Sequence, residues 1–528
     1  MTSNSRSSPL PVSRSSGIDV SGAYSRRWIV LAVLAAALAL VSLDNTIVNV
    51  ALRSSWRVGR ATTSQLQWVV DAYSVLFAGT LLLAGSLGDR FGRRRMLVIG
   101  LVIFICASVL AAFAPNADVL TVARAIMGIG GAFIMPSTLS ILVQVFTDPK
   151  ERGQAIGIWA AVAGVGVALG PIIGGLLLEH FTWHAIFWVN PFVSVVVIVA
   201  ALLLVPESKD ESKPLLDPLG GLLSSVGLIA LVFTIIEIPE AGISSVTVAS
   251  ALIAVVALAI FVWWESKAKR PLLPMSFFRE RLFTVSVVVV GLVYFALMGA
   301  MFFLPQFLQL VQDMTPLQSG IALLPGAGGL LIASIFSPGL AQRWGSRSVV
   351  VTGLSIVIAG LLAMGLVSAN TVYAFTGMCL GLVGLGLGLT LPQATNGVLA
   401  SVPRDRAGIG SAVNDAVGEL GGSFGVAILG GVMSFFYRDS IQQAISDAGD
   451  AVNVLPAHAL DAARESLAAA SIEAARLPSD VGQVFRDVAG DAFVTGMTWA
   501  LSIGAAFVIA GLVLAWWKFP SHVEHVEE

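Results

Sequence analysis

Residues 85–95 read Gly85-Ser86-Leu87-Gly88-Asp89-Arg90-Phe91-Gly92-Arg93-Arg94-Arg95, the densest run of charge in a chain that is otherwise mostly hydrocarbon. Apolar segments of helical length flank it, so the run is a short, strongly basic turn between two helices. Its glycines let two helix ends approach closely. Asp89 is placed either to pair with an arginine or to cap the following helix, and the arginines hold the turn at the anionic inner face of a membrane. Basic residues alone would mark only an ordinary cytoplasmic loop, whereas the glycine and aspartate spacing asks for more.

The 528 residues are 56% hydrophobic and only 12% charged, about half the charged fraction of a soluble domain. With a mean hydropathy of +0.87, the chain is a polytopic membrane protein. Its net charge of −2 and the lack of any basic patch interleaved with aromatics argue against a nucleic-acid partner. Cys106 and Cys379 lie in apolar runs in different halves of the chain and are expected to be reduced and unpaired, neither a disulfide nor a metal pair. The first 26 residues are Ser-rich and carry Arg6, Arg14 and Arg26 without an Ala-x-Ala-like site, so a disordered tail and an uncleaved first span are expected rather than a signal peptide.

A crossing helix needs about 20 apolar residues. Fourteen stretches meet that length, beginning with 28–51 and ending with 408–436 and 490–517. The positive-inside rule puts both termini in the cytoplasm, because Arg90, Arg93 to Arg95, Lys150, Arg152, Lys209, Arg343, Arg347, Arg404 and Arg406 all fall in alternate loops. Arg53, Arg57 and Arg60 after the first span are exceptions. An internal repeat is visible: Leu87-x-x-Arg90-Phe91-Gly92-x-Arg94 recurs as Leu340-x-x-Arg343-Trp344-Gly345-x-Arg347, and Pro149-x-x-Arg152 recurs as Pro403-x-x-Arg406. The offset is about 254 residues. Gln342 replaces the acid that Asp89 supplies in the first copy.

The expected fold is therefore an all-α polytopic membrane protein of 14 transmembrane helices arranged 6+2+6. A disordered cytoplasmic tail spans 1–26, a six-helix bundle 27–206, an inserted hairpin 207–270, a second six-helix bundle 271–518 with an external loop over 439–490, and a cytoplasmic tail 519–528. The loop is expected to be partly helical between Asp461 and Arg476, and the C-terminal His522-Val523-Glu524-His525 to be a solvated tail rather than a metal site.

The run Gly85-x-Leu87-x-Asp89-Arg90-x-Gly92-Arg93-Arg94 resembles the loop between spans two and three of the major facilitator superfamily of secondary transporters. Gly157-x8-Gly166-x3-Gly170-Pro171-x2-Gly174-Gly175 resembles that family's span-five antiporter motif, which is associated with exporters. Leu43-Asp44-x-Thr46-x-Val48-Asn49-x-Ala51 resembles the span-one motif of its fourteen-span drug:proton antiporters, in which the aspartate is implicated in proton coupling or cation recognition. It departs from that motif at Arg53, where proline is usual. Arg124-x-x-x-Gly128 resembles the span-four motif, whose arginine is associated with proton transfer.

These residues also carry a reading of their own. Asp44 lies roughly 24 Å up the first helix from Trp28, where a carboxylate must face a cavity or a partner. Arg124 reaches a similar depth. A pair between them favours the charged carboxylate and an apolar cavity the protonated one, and the sequence leaves both open. Asp415 and Glu419, four apart on span thirteen, share one helical face near the midplane and would attract protons or organic cations. Asp71 and Tyr73, at the outer start of span two, suit a capping or gating role as well as proton transfer. Glu179, His180 and His184 form a water-facing cluster after span five, whose protonation could modulate transport.

The resemblance implies a proton-driven exporter of lipophilic or cationic compounds, active as a monomer in a bacterial cytoplasmic membrane and needing no cofactor beyond the proton gradient. No phosphate-binding loop, zinc signature or nucleophile–base pair suggests ATP hydrolysis or enzyme chemistry. An exporter of one metabolite or lipid-like molecule, or a membrane sensor that moves without transporting, are the alternatives.

Overall fold

The computed structural model describes residues 26–55, 63–209, 217–268, 271–448 and 455–521. Residues 1–25, His522 to Glu528, and Arg57 and Arg60 lie outside them. Among the described residues every regular element is helical. The crossing helices are α1 (Arg27–Ser55), α2 (Thr63–Phe91), α3 (Arg93–Ala112), α4 (Ala117–Val145), α5 (Pro149–His180), α6 (Ala185–Leu204), α7 (Pro218–Ala241), α8 (Ser245–Lys267), α9 (Arg281–Gln306), α10 (Leu324–Trp344), α11 (Ser346–Met364), α12 (Tyr373–Ala400), α13 (Ala407–Asp447) and α14 (Ser479–Lys518). Thirteen of the fourteen are long and apolar enough to cross a membrane; the other, α5, has 32 residues, more than the roughly 20 a crossing needs.

Local chemistry sets where these helices begin. Asn116, Asp148 and Asp217 accept hydrogen bonds from the first amides of α4, α5 and α7, and Ser244 and Thr247 form a capping box on α8. Gly92 breaks α2 from α3 with φ 116°, a left-handed conformation that only glycine adopts without strain. Gly345, its counterpart in the repeat, does the same at φ 83°.

One apolar core is built mainly from α1 to α6 and a second mainly from α9 to α14. A smaller cluster joins them, with Leu82 of α2, Leu228 of α7, Phe261 of α8 and Ile409 of α13. The arrangement is the expected 6+2+6.

The ruler of apolar runs set the last two helices too short. α13 continues past 436 to Asp447 and α14 starts at Ser479, before 490. Tyr437 and Ile441, and Phe485 and Ala489, are buried at helical spacing, so these polar extensions carry an apolar stripe that a hydropathy count misses. Of the stretch 439–490, residues up to Asp447 continue α13 and those from Ser479 begin α14. Between them lie two short helices, Ala457–Glu465 and Leu467–Ala474, held down in part by the Tyr437 hydroxyl donating to the Ala463 carbonyl at 2.8 Å.

Candidate functional site

A cavity of about 1980 Å³ lies between the two halves. From α1 it takes Val41, Ser42, Asn45 and Thr46, and from α2 Val70, Asp71, Tyr73, Ser74 and Phe77, positions far from the Arg93–Arg95 turn. With that basic turn on the cytoplasmic side, the cavity opens outward. Its walls are largely apolar and aromatic, with Tyr294, Met298 and Phe302 on α9. Asp415 and Glu419 project into it from one face of α13, together as their spacing implies. Asn414 donates to Asp415 Oδ1 at 3.1 Å, and Asp415 Oδ2 has no partner among the described residues. The Ser74 hydroxyl reaches Glu419 across the interface from α2. Asp71 and Glu179 also line the cavity.

Asp44 and Arg124 are fully buried and form a direct ion pair inside the first half, and neither lines the cavity. Arg124 Nε donates to the Val69 carbonyl at 3.2 Å, and its guanidinium lies 4.5 Å from the Tyr73 ring centroid. Tyr73 is 2% exposed yet contributes to the cavity wall. It is thus the partition between the buried pair and the cavity acids, deeper than its place at the start of span two suggested. On its other side Asp44 accepts from Asn190 of α6 at 2.6 Å. The sequence reading missed Asn190. The available signal was an Asn-Pro step inside an otherwise apolar span.

The Arg-rich turn closes the opposite end. Asp89 Oδ1 accepts from Arg93 Nε at 3.0 Å and Nη2 at 2.8 Å. The same carboxylate accepts from the amides of Gly408 at 2.9 Å and Ile409 at 3.1 Å, the first turn of α13, where the helix dipole favours an anion. Asp89 therefore pairs with an arginine, Arg93, and the helix it caps is α13 of the second half, not the following α3. Arg93 adds bonds to the carbonyls of Arg404 and Asp405 at 3.1 and 2.8 Å. Gly85 makes room for this seam, since a Cβ there would meet the Gly408 carbonyl at 2.6 Å. Arg94 donates to the Val205 carbonyl at 3.0 Å, and Arg90 lies over Phe91.

The glycines of α5 divide by partner. A Cβ on Gly166 would strike Ser42 and Ala39 of α1, and one on Gly170 would strike Thr46. On Gly157 it would strike the Ser334 carbonyl of α10, across the interface. Gly174 is buried, Gly175 has open space toward the cavity, and the side chain of Pro171 lies outside the described residues. Cys106 and Cys379 are free. His184 stacks on Trp183 at 3.8 Å, and burial pushes its pKa below the ordinary 6.5.

Two helical halves that enclose one cavity, sealed at one end and open at the other, have the form of a membrane transporter. The chain belongs to the Major Facilitator Superfamily, whose family model matches residues 34–426. It is 37% identical over 486 residues to the multidrug efflux pump LfrA of Mycolicibacterium smegmatis, covering 92% of this chain and 95% of that one. It is 33% identical to the multidrug resistance protein Stp of Mycobacterium tuberculosis, covering 92% and 90%, and 32% identical to the tetracenomycin C resistance and export protein of Streptomyces glaucescens, covering 93% and 90%. Among solved structures, the human organic anion transporter MFSD10 (TETRAN) superposes with a TM-score of 0.58 at 15% identity, covering 93% of this chain and 99% of that one, a likeness of fold. The chain is a multi-pass membrane transporter.

Proposed function

We propose that the protein is a proton-coupled antiporter that exports lipophilic or cationic compounds from a bacterial cell. The observation that carries this is the placement of Asp415 and Glu419 in a large, mostly apolar cavity. Apolar and aromatic walls bind hydrocarbon surface without fixing its shape, and two acids select for positive charge or take up protons. The names of the relatives support the efflux direction.

In the outward-facing arrangement, protons arriving from outside neutralise the cavity acids and weaken their hold on a bound cation, which leaves. Asp44, beside Arg124 and behind Tyr73, is the second coupling group. Loss of protons to the cytoplasm after the halves rock over restores both acids and readies the cavity for the next compound. One chain encloses the whole cavity, which supports a functional monomer.

The test is transport of a fluorescent lipophilic cation by purified protein in proteoliposomes. The expected outcome is movement that follows an imposed pH gradient and collapses with a protonophore. Movement indifferent to the gradient would remove proton coupling.

A further inference from the structure

Asn190 is fully buried in α6 and belongs to a polar chain that never reaches the cavity. Its Nδ2 donates to Asp44 Oδ1 at 2.6 Å and to Ser108 Oγ of α3 at 3.0 Å. The Ser108 hydroxyl in turn donates to the Phe187 carbonyl at 2.7 Å. That carbonyl is available because the residue four along the helix is Pro191, which has no N–H to offer it. With its proton committed to Phe187, Ser108 presents only lone pairs to Asn190, which turns the amide nitrogen toward Asp44. Asn190 Oδ1 has no partner among the described residues.

An apolar bundle has no need of this arrangement, since leucine fills a similar volume at less cost than a half-satisfied amide. A carboxylate that gains and loses a proton does need it. Ionised, Asp44 only accepts; protonated, it must also donate. Arg124 from α4 can serve only the ionised form, and Tyr73 from α2 packs on the guanidinium. A carboxamide carries one donor group and one acceptor and exchanges them by a half-turn.

We propose that Asn190 is the positioning residue of Asp44, donating to the ionised carboxylate and accepting from the protonated one, with Ser108 and the carbonyl freed by Pro191 setting its resting orientation. The proposal rests on the reading of Asp44 as a coupling acid.

The test uses the full chain in proteoliposomes and compares uphill transport driven by a pH gradient with substrate counterflow, which needs no net proton movement. In Asn190→Leu the driven rate falls at least about tenfold, the scale of a lost charge-assisted hydrogen bond, while counterflow and KM stay within about twofold of wild type. Ser108→Ala, which removes a single hydroxyl and carries the test should Asn190→Leu fold poorly, shows a smaller loss of the same kind. Equal losses in driven transport and counterflow overturn the proposal, because they indicate a packing defect. Wild-type driven rates in both variants, beside a driven rate abolished in Asp44→Asn, overturn it too and leave the reading of Asp44 standing. A wild-type driven rate in Asp44→Asn itself removes that reading, and the proposal with it.

Discussion

Asp89 holds four donors, two from Arg93 and two from the backbone of α13. Asparagine keeps the shape but surrenders the charge. Hydrogen bonds to a charged group contribute about 1.5–3 kcal/mol each, so Asp89→Asn is expected to shift the balance between outward- and inward-facing states at least about tenfold toward the inward-facing one. Cross-linking of cysteine pairs across the cytoplasmic seam reads that shift, and an unchanged yield would argue against the seam as a lock. In the cavity, Asp415→Asn and Glu419→Gln together are expected to weaken binding of a lipophilic cation at least about tenfold while sparing a neutral compound of similar size. Isothermal titration of both ligands checks this. For His184 the sign of the pH effect follows from burial. The folded protein holds its pKa below the ordinary 6.5, so stability is full above that value and falls as acidification forces the ring to charge. Melting temperature on the acid side should therefore drop less in His184→Gln than in wild type.

At the scale of the helix, α5 shows why a motif is not one mechanism. Gly170 meets α1 inside the first half, Gly157 meets α10 in the second, and Gly175 meets nothing. Gly170→Val should lower thermal stability by about 1–3 kcal/mol through overpacking. Gly157→Val should leave the melting temperature near wild type and instead hinder closure of the cytoplasmic side, read by the same cross-links. Gly175→Ala should be close to neutral in both assays. Equal thermal losses in the Gly157 and Gly170 variants would undo the distinction. The sequence made the pattern legible but not its division, because which neighbour a glycine faces depends on the rotation of a helix about its axis. Hydropathy located the helices well where they are apolar all round. It failed at the ends of α13 and α14, where the buried stripe is one residue in four.

Over the whole molecule, the charges legible in the sequence are those whose isolation makes them conspicuous. Asp44, Arg124, Asp415 and Glu419 each interrupt an apolar span, and the structure groups them in two pairs. What the sequence withheld is the wall between the pairs: Tyr73 reads as one more aromatic near an interface, and only the packing of α2 against α4 sets its ring on Arg124. Asn190 was equally quiet, since a carboxamide carries no charge to draw notice.

The repeat is also unequal at its two basic turns. The second turn has Gln342 where the first has Asp89, and its Gly345 sits against Ser521. There the Ser346 amide donates to the Ser521 carbonyl at 2.7 Å and Arg347 Nε donates to the Phe519 carbonyl at 2.5 Å. Phe519 and Ser521, which follow the last helix, thus brace the turn that lacks an acid. Trimming the protein back to Lys518, or grafting a bulky fusion directly onto Ser521, would therefore disturb the inner face of the second half.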